Sequence, residues 1–264
     1  MAVRSTILTH NVDAGGTMTT TVPGDWEVGD YIVVGVQVGG TVSPAGTGPS
    51  AFDELIQTGL GNTQGLITQY GKELEAGDVS WTWGVAQDTR GLCAAAFYDV
   101  EVVTAETAAD GDIFTAGNPI TLPSFSNEEQ DAVVTVFSGA RWYSVGDRGP
   151  TYLSDIDSGD MELVTLFYDD QAPSDGGRLG IYMAYAELPI GDVPAVTLTW
   201  DNFTIPGTGN IGEAVNGCRT LLSVIDVTPA NTSLQLDLQK VVIGELPYQL
   251  HTAMLHDPEA SLDD

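Results

Sequence analysis

The sequence predicts an all-β protein, a β-sandwich made from one β unit used twice, followed by a C-terminal arm. Three observations carry this. Short apolar runs recur between turns throughout 264 residues that include 31 Gly and 13 Pro, and no heptad or long helical period competes with them. The run Val79-Ser-Trp-Thr-Trp83 returns as Val196-Thr-Leu-Thr-Trp200. Its neighbours return in the same order: Gly65 to Leu74 answers to Leu179 to Leu188, and Arg90 to Val100 answers to Asn216 to Val227. Upstream, Thr21-Val-Pro23 and Asp30-Tyr-Ile-Val-Val34 answer to Thr121-Leu-Pro123 and Asp131-Ala-Val-Val-Thr135. The separation grows from 100 at Thr21/Thr121 to 117 at Val79/Val196 and 127 at Val100/Val227, so the second copy carries its insertions in loops.

In chain order, residues 1–18 hold one strand candidate, Val3 to Thr9, and a turn at Asp13-Ala-Gly-Gly16, and read as an N-terminal arm. The sandwich then spans 19–228, with repeat one at 19–100, a linker at 101–119 and repeat two at 120–228. Tyr31 to Val38 is apolar at nearly every position, which predicts a central strand covered on both faces. Gly39 to Pro49 is rich in Gly, Pro, Ser and Thr and reads as a loop. Phe52 to Gln57 fits a strand or a helical turn. In Val79-Ser-Trp-Thr-Trp83 the period of two turns Val79, Trp81 and Trp83 toward the core, and its copy turns Val196, Leu198 and Trp200 the same way. The linker, with Glu101, Glu106, Asp110 and Asp112, is expected on the surface. Repeat two offers strands at 120–125, 132–137, 162–168, 179–186, 196–200 and 220–227, with long loops at 138–160, 169–178 and 202–217, where recognition usually sits.

Charge narrows the function. Asp and Glu number 37 against 8 Lys and Arg, a formal −29 and a pI near 4.1. Such a surface repels phosphates and anionic lipid, so neither nucleic acid nor a membrane is an expected partner. The stretch Met1 to His10 lacks the cleavage-like end of a secretory signal, and no apolar segment reaches the ~18–20 residues of a membrane span.

Chemistry-bearing residues are sparse. Cys93 and Cys218 fall at matching points of the two copies and read as buried thiols without a His partner; a disulfide between them is the alternative if their strands are neighbours. The histidines, His10, His251 and His256, all lie in the terminal arms, so no Ser-His-Asp or Cys-His site is expected and the chain is not read as an enzyme. Paired carboxylates for glycoside hydrolysis require a spacing that only three dimensions decide. Asp155, Asp157 and Asp160, beside Gly159 and Glu162, have the hard oxygens that calcium needs but not the complete loop signature; the competing reading is a solvated acidic loop. No other cofactor is expected. Arg141, Trp142 and Tyr143, in a long loop, form the recognition candidate, and a host-surface glycan is the ligand class they suit. After Pro229, Leu234, Leu236 and Leu238 alternate with polar residues and lead into Val241, Val242, Ile243 and Tyr248. This arm, 229–264, cannot bury its stripe alone and must pack on the sandwich or on a neighbouring subunit; the second reading, an assembly element, is the one adopted.

The order of segments resembles a family of jelly-roll-like β-sandwich proteins in the virions of tailed phages, described as minor tail or capsid decoration proteins. Val22 to Val36, Gly91 to Val100, Asp131 to Arg141 and Thr220 to Val227 carry the resemblance, which leaves the C-terminal arm unmatched. It implies a non-enzymatic structural role in a virion assembled in the host cytoplasm. The implied partners are the major capsid or tail proteins and further copies of the chain. These are strand signatures, and they transfer no catalytic residue. The alternative reading is a carbohydrate- or receptor-binding adhesion module working through the long loops of repeat two.

Overall fold

A computed structural model describes residues 2–11, 16–39, 49, 51–59, 66–85, 89–98, 100–112, 119–127, 132–143, 151–169, 177–189, 191–202 and 214–225. Every regular element among them is a β-strand, and every strand pair is antiparallel. The first half contains β1 (Ala2–Asn11), β2 (Gly16–Thr21), β3 (Tyr31–Gly39), β4 (Asp53–Gly59), β5 (Leu66–Glu73), β6 (Ser80–Val85) and β7 (Thr89–Tyr98). The second contains β8 (Glu101–Asp112), β9 (Pro119–Leu122), β10 (Phe125–Asn127), β11 (Ala132–Tyr143), β12 (Thr151–Asp157), β13 (Val164–Asp169), β14 (Gly177–Leu188), β15 (Gly191–Val193), β16 (Val196–Asn202) and β17 (Ala214–Ile225).

Each half builds a five-stranded sheet, in order β1-β7-β3-β5-β4 and β8-β17-β11-β14-β13, so the two orders match strand for strand. Smaller sheets, β2-β6 in the first half and β9-β16-β12 with the β10-β15 pair in the second, complete the set. Two expectations change here. The lead-in arm is the edge strand β1, and the linker is largely β8, its counterpart in the other sheet. Both are polar edge strands, whose weak apolar signal is what an exposed sheet edge favours. Of Phe52 to Gln57, the residues from Asp53 onward form the start of β4.

Three apolar clusters separate the layers. In the first, Met18, Trp81 and Trp83 of β2 and β6 pack on Ile32, Val34, Val36, Leu92, Ala94 and Ala96. In another, Ile120, Leu122, Val196, Leu198 and Trp200 pack on Val134, Val136, Ala184 and Leu221. The third joins the two five-stranded sheets: Val33, Ile67, Cys93, Ala95 and Phe97 meet Val133, Phe137, Ile181, Met183, Cys218 and Leu222. Strands β3, β7, β11 and β17 therefore bury alternate side chains in two different cores, which explains why their sequences are apolar without alternation. Each outer core has a wholly buried tryptophan. Trp83 Nε1 donates to Thr20 Oγ1 at 3.1 Å, and Trp200 Nε1 to Ser138 Oγ at 2.9 Å, so neither indole leaves its polar atom unpaired.

The register refines how the halves correspond. Gly35 stands opposite Gln69 and Cys93; Phe137 stands opposite Met183 and Cys218. Gln37 faces Ile67 and Gly91 across its sheet, and Gly139 faces Ile181 and Asn216. With Cys93 matched to Cys218 and Ile67 to Ile181, Gly35 corresponds to Phe137 and Gln37 to Gly139. The match of Asp30 to Asp131 is thus one residue out; a slip of one would put every side chain of β11 on the wrong face. Val79 is a second correction. It is 69% exposed, because the turn Glu75–Asp78, with Gly77 at φ 104°, delays the start of β6 to Ser80 and the alternation does not reach back to it. Trp81, Trp83, Val196, Leu198 and Trp200 are buried as the alternation requires.

Candidate functional site

The cations whose side chains are described are turned to structural use. On β1, Arg4 donates to Asp30 at 3.2 Å, approaches Glu27 at 3.0 Å and lies 4.4 Å over the Tyr98 ring. The next residue, Ser5, donates from its backbone N to Asp25 at 2.8 Å and accepts from Trp26 Nε1 at 2.7 Å. This stitches the edge strand to the 25–30 turn. Lys72 is buried on β5, 2.6 Å from Asp78 Oδ2, with the Phe52 and Trp81 rings each 5.7 Å from its Nζ. Partial burial pushes the Asp78 carboxyl up, but the bonds from Lys72 and from the Glu75 and Trp81 N–H groups outweigh it and hold the pKa below the usual value.

Arg219, on β17, is the unusual one. It is fully buried at the margin of the second outer core, with its guanidinium 4.5 Å over the Phe125 ring. Nη1 donates to Pro194 O at 2.5 Å, while Nε and Nη2 have no hydrogen-bond partner among the described residues. Burial without a counter-charge lowers its pKa from 12.5 to about 10.

Asp155 and Asp157 project from β12, and Asp160 follows in the turn; all three are exposed. Asp157 Oδ1 accepts from the Gly159 backbone N at 3.0 Å, closing a local turn in which Gly159 takes φ 59°. The carboxylates thus belong to a solvated corner. No group of three metal-ligating side chains converges there or elsewhere among the described residues. No match is found to a known protein family, a curated protein or a solved structure.

Arg141, Trp142 and Tyr143 do not begin a loop. Their backbone continues β11 and pairs with Leu179, Arg178 and Gly177 of β14, so the strand simply runs past the point where its apolar pattern stops. Their side chains lie outside the described residues, as do residues 144–150, 170–176 and 203–213 of the long loops. Leu234, Leu236, Leu238, Val241, Val242, Ile243 and Tyr248 also lie outside them, in a separate unit spanning Asp226–Asp264. The cysteines are free and buried. Cys93 Sγ lies 3.5 Å from Met183 Sδ, and burial raises both thiols' pKa, which removes nucleophilic character.

Sequence reasoning missed Arg219 and the polar residues between the two large sheets. There Gln69 Nε2 donates to Thr135 Oγ1 at 3.1 Å, and Thr220 Oγ1 donates to Gln69 Oε1 at 2.6 Å. Gln37 is buried beside them with both amide atoms unpartnered. The signal was present as single polar residues inside otherwise apolar strands, Gln37 in Tyr31–Val38 and Arg219 next to Cys218.

Proposed function

We propose that the chain is a non-enzymatic structural protein of a tailed-virus particle, a capsid decoration protein or a tail or vertex appendage. In this reading its sheets form jelly-roll-like β-sandwiches derived from one duplicated unit, and residues 229–264 reach a neighbouring subunit. The supporting observation is where the polar groups go. Lys72, Arg219, Gln69 and Thr220 hold strands and layers together from inside and Arg4 pins the edge strand β1, while the carboxylates Asp155, Asp157, Asp160 and Glu162 face solvent. Rigid layered β bodies with acidic exteriors suit proteins that must stay dispersed until they meet a particle surface.

The test follows a tagged chain through density-gradient separation of particles. The full chain is expected in the particle fraction, and a chain ending at residue 228 in the free fraction with its β circular-dichroism signal intact. A full chain that stays wholly free refutes the virion reading. A truncated chain that loads normally refutes the role of Leu234, Leu236 and Leu238 in assembly.

A further inference from the structure

The seam between the two five-stranded sheets contains a pattern that shared strand order alone does not require. Strand β3 lies over its counterpart β11, β5 over β17, and β7 over β14. The halves are thus related by a pseudo-two-fold axis running along β3 and β11, and corresponding residues of these two strands meet one another. At two such positions the halves have diverged in opposite directions. A Cβ on Gly35 would lie 2.5 Å from Phe137 Cδ2 and 2.6 Å from Cγ, so the phenyl ring of one half occupies the space a side chain would need in the other. Two residues on, the roles reverse: a Cβ on Gly139 would collide with the Gln37 side chain. Each half therefore presents one bulky residue and one glycine, and each bulky residue sits on the other half's glycine.

Gln37 sharpens the point. It is fully buried, yet its amide makes no hydrogen bond among the described residues, an arrangement that costs stability. Its bulk over Gly139, rather than its polarity, accounts for its place.

We propose that the inner face of each half is a pairing surface specific for the other half and closed to a second copy of itself, set by Gly35–Phe137 and Gln37–Gly139. A first-half face against its own copy would stack Gln37 on Gln37 and leave a void between two copies of Gly35. A second-half face against its own copy would drive Phe137 into Phe137. Discrimination rests on clashes and voids in the wrong pairings as much as on fit in the right one. This inference does not depend on the virion reading, since it concerns only how the two halves recognise each other.

Substitutions in the full chain recreate both situations. Gly35→Phe alone reproduces the bulky pairing and Phe137→Gly alone the void; each is expected to lower Tm by roughly 10 °C or more. The double exchange Gly35→Phe with Phe137→Gly moves the same pair to opposite sides of the axis and should recover Tm to within about 5 °C of wild type. The second exchange, Gln37→Gly with Gly139→Gln, should recover in the same way from its single variants. Should Gly35→Phe variants not fold, the mild Gly35→Ala decides, with a smaller Tm loss expected in a Phe137→Val background than alone. Recovery in either exchange, or that smaller loss, supports the proposal. Double variants no better than the worse single, with Gly35→Ala equally damaging in both backgrounds, overturn it.

Discussion

Replacing Arg219 by Met removes a positive charge from a buried site, yet the structure leads us to expect little loss of stability. A fall in pKa from 12.5 to about 10 means that burial disfavours the charged guanidinium by roughly 3 kcal/mol. Against this stand the contact with Phe125, worth up to about 2 kcal/mol, and the charged hydrogen bond to Pro194 O, worth roughly 1.5–3 kcal/mol. The terms nearly cancel, and a methionine fills much of the same volume with a flexible apolar chain. Thermal unfolding at pH 7 is therefore expected to show a change within about 1.5 kcal/mol, or roughly 3–6 °C for a body of this size. The sign of the pH dependence adds a check. Because the folded pKa lies below the unfolded one, the penalty operates below pH 10 and is relieved as the pH rises toward 12.5. Wild type should thus gain on the variant across that interval. A loss of about 4 kcal/mol or more at pH 7 would refute the reasoning, for it is what breaking a buried pair costs and would mean that the guanidinium has a carboxylate partner.

Asp78→Asn should behave in the opposite way. It strands the buried Lys72 ammonium, with an expected loss of about 2–4 kcal/mol in urea unfolding at pH 7. Asp78 has a depressed folded pKa, so its contribution is present above the unfolded value of 3.8 and disappears as the pH falls through the folded one; the two proteins should converge in acid. At the alkaline end, burial, helped by the Asp53 charge, pushes the Tyr31 hydroxyl up to about 12. Its contribution is complete below pH 10 and lost as the pH climbs through 12, so Tyr31→Phe should flatten the wild-type stability loss in that window.

How much of this was legible depended on where each strand lies. Interior strands announce themselves: the nearly continuous apolar run Tyr31–Val38 indicated a strand covered on both faces, and the alternation around Trp83 and Trp200 placed both indoles in the core. The two edge strands that pair along one side only differ: β1 showed as the candidate Val3 to Thr9, whereas β8 carries Glu101, Glu106, Asp110 and Asp112 and read as a surface connection. The one-residue error in matching β3 to β11 arose because shared letters outweighed face. Ile32 and Val134 point into outer cores, whereas Val133 points into the central seam. At the acid corner, where calcium and a solvated acidic loop were the two readings, Asp155 and Asp157 stand two residues apart on one exposed face of β12.

The position of β8 also sets an order of events during synthesis. The first half has all its strands once Tyr98 has emerged, and β1 already has β7 to pair with. β8 comes next in the chain, but Glu101 pairs with Ile225 and Asp112 with Val215, the last strand of the second half. For the whole time that residues 113–213 are being made, β8 has no ladder to join. An unpaired strand in waiting is an invitation to edge-to-edge aggregation. Its four carboxylates, which obscured it as a strand, are the kind of gatekeepers that keep such a segment from pairing with the wrong chain before its proper neighbour arrives.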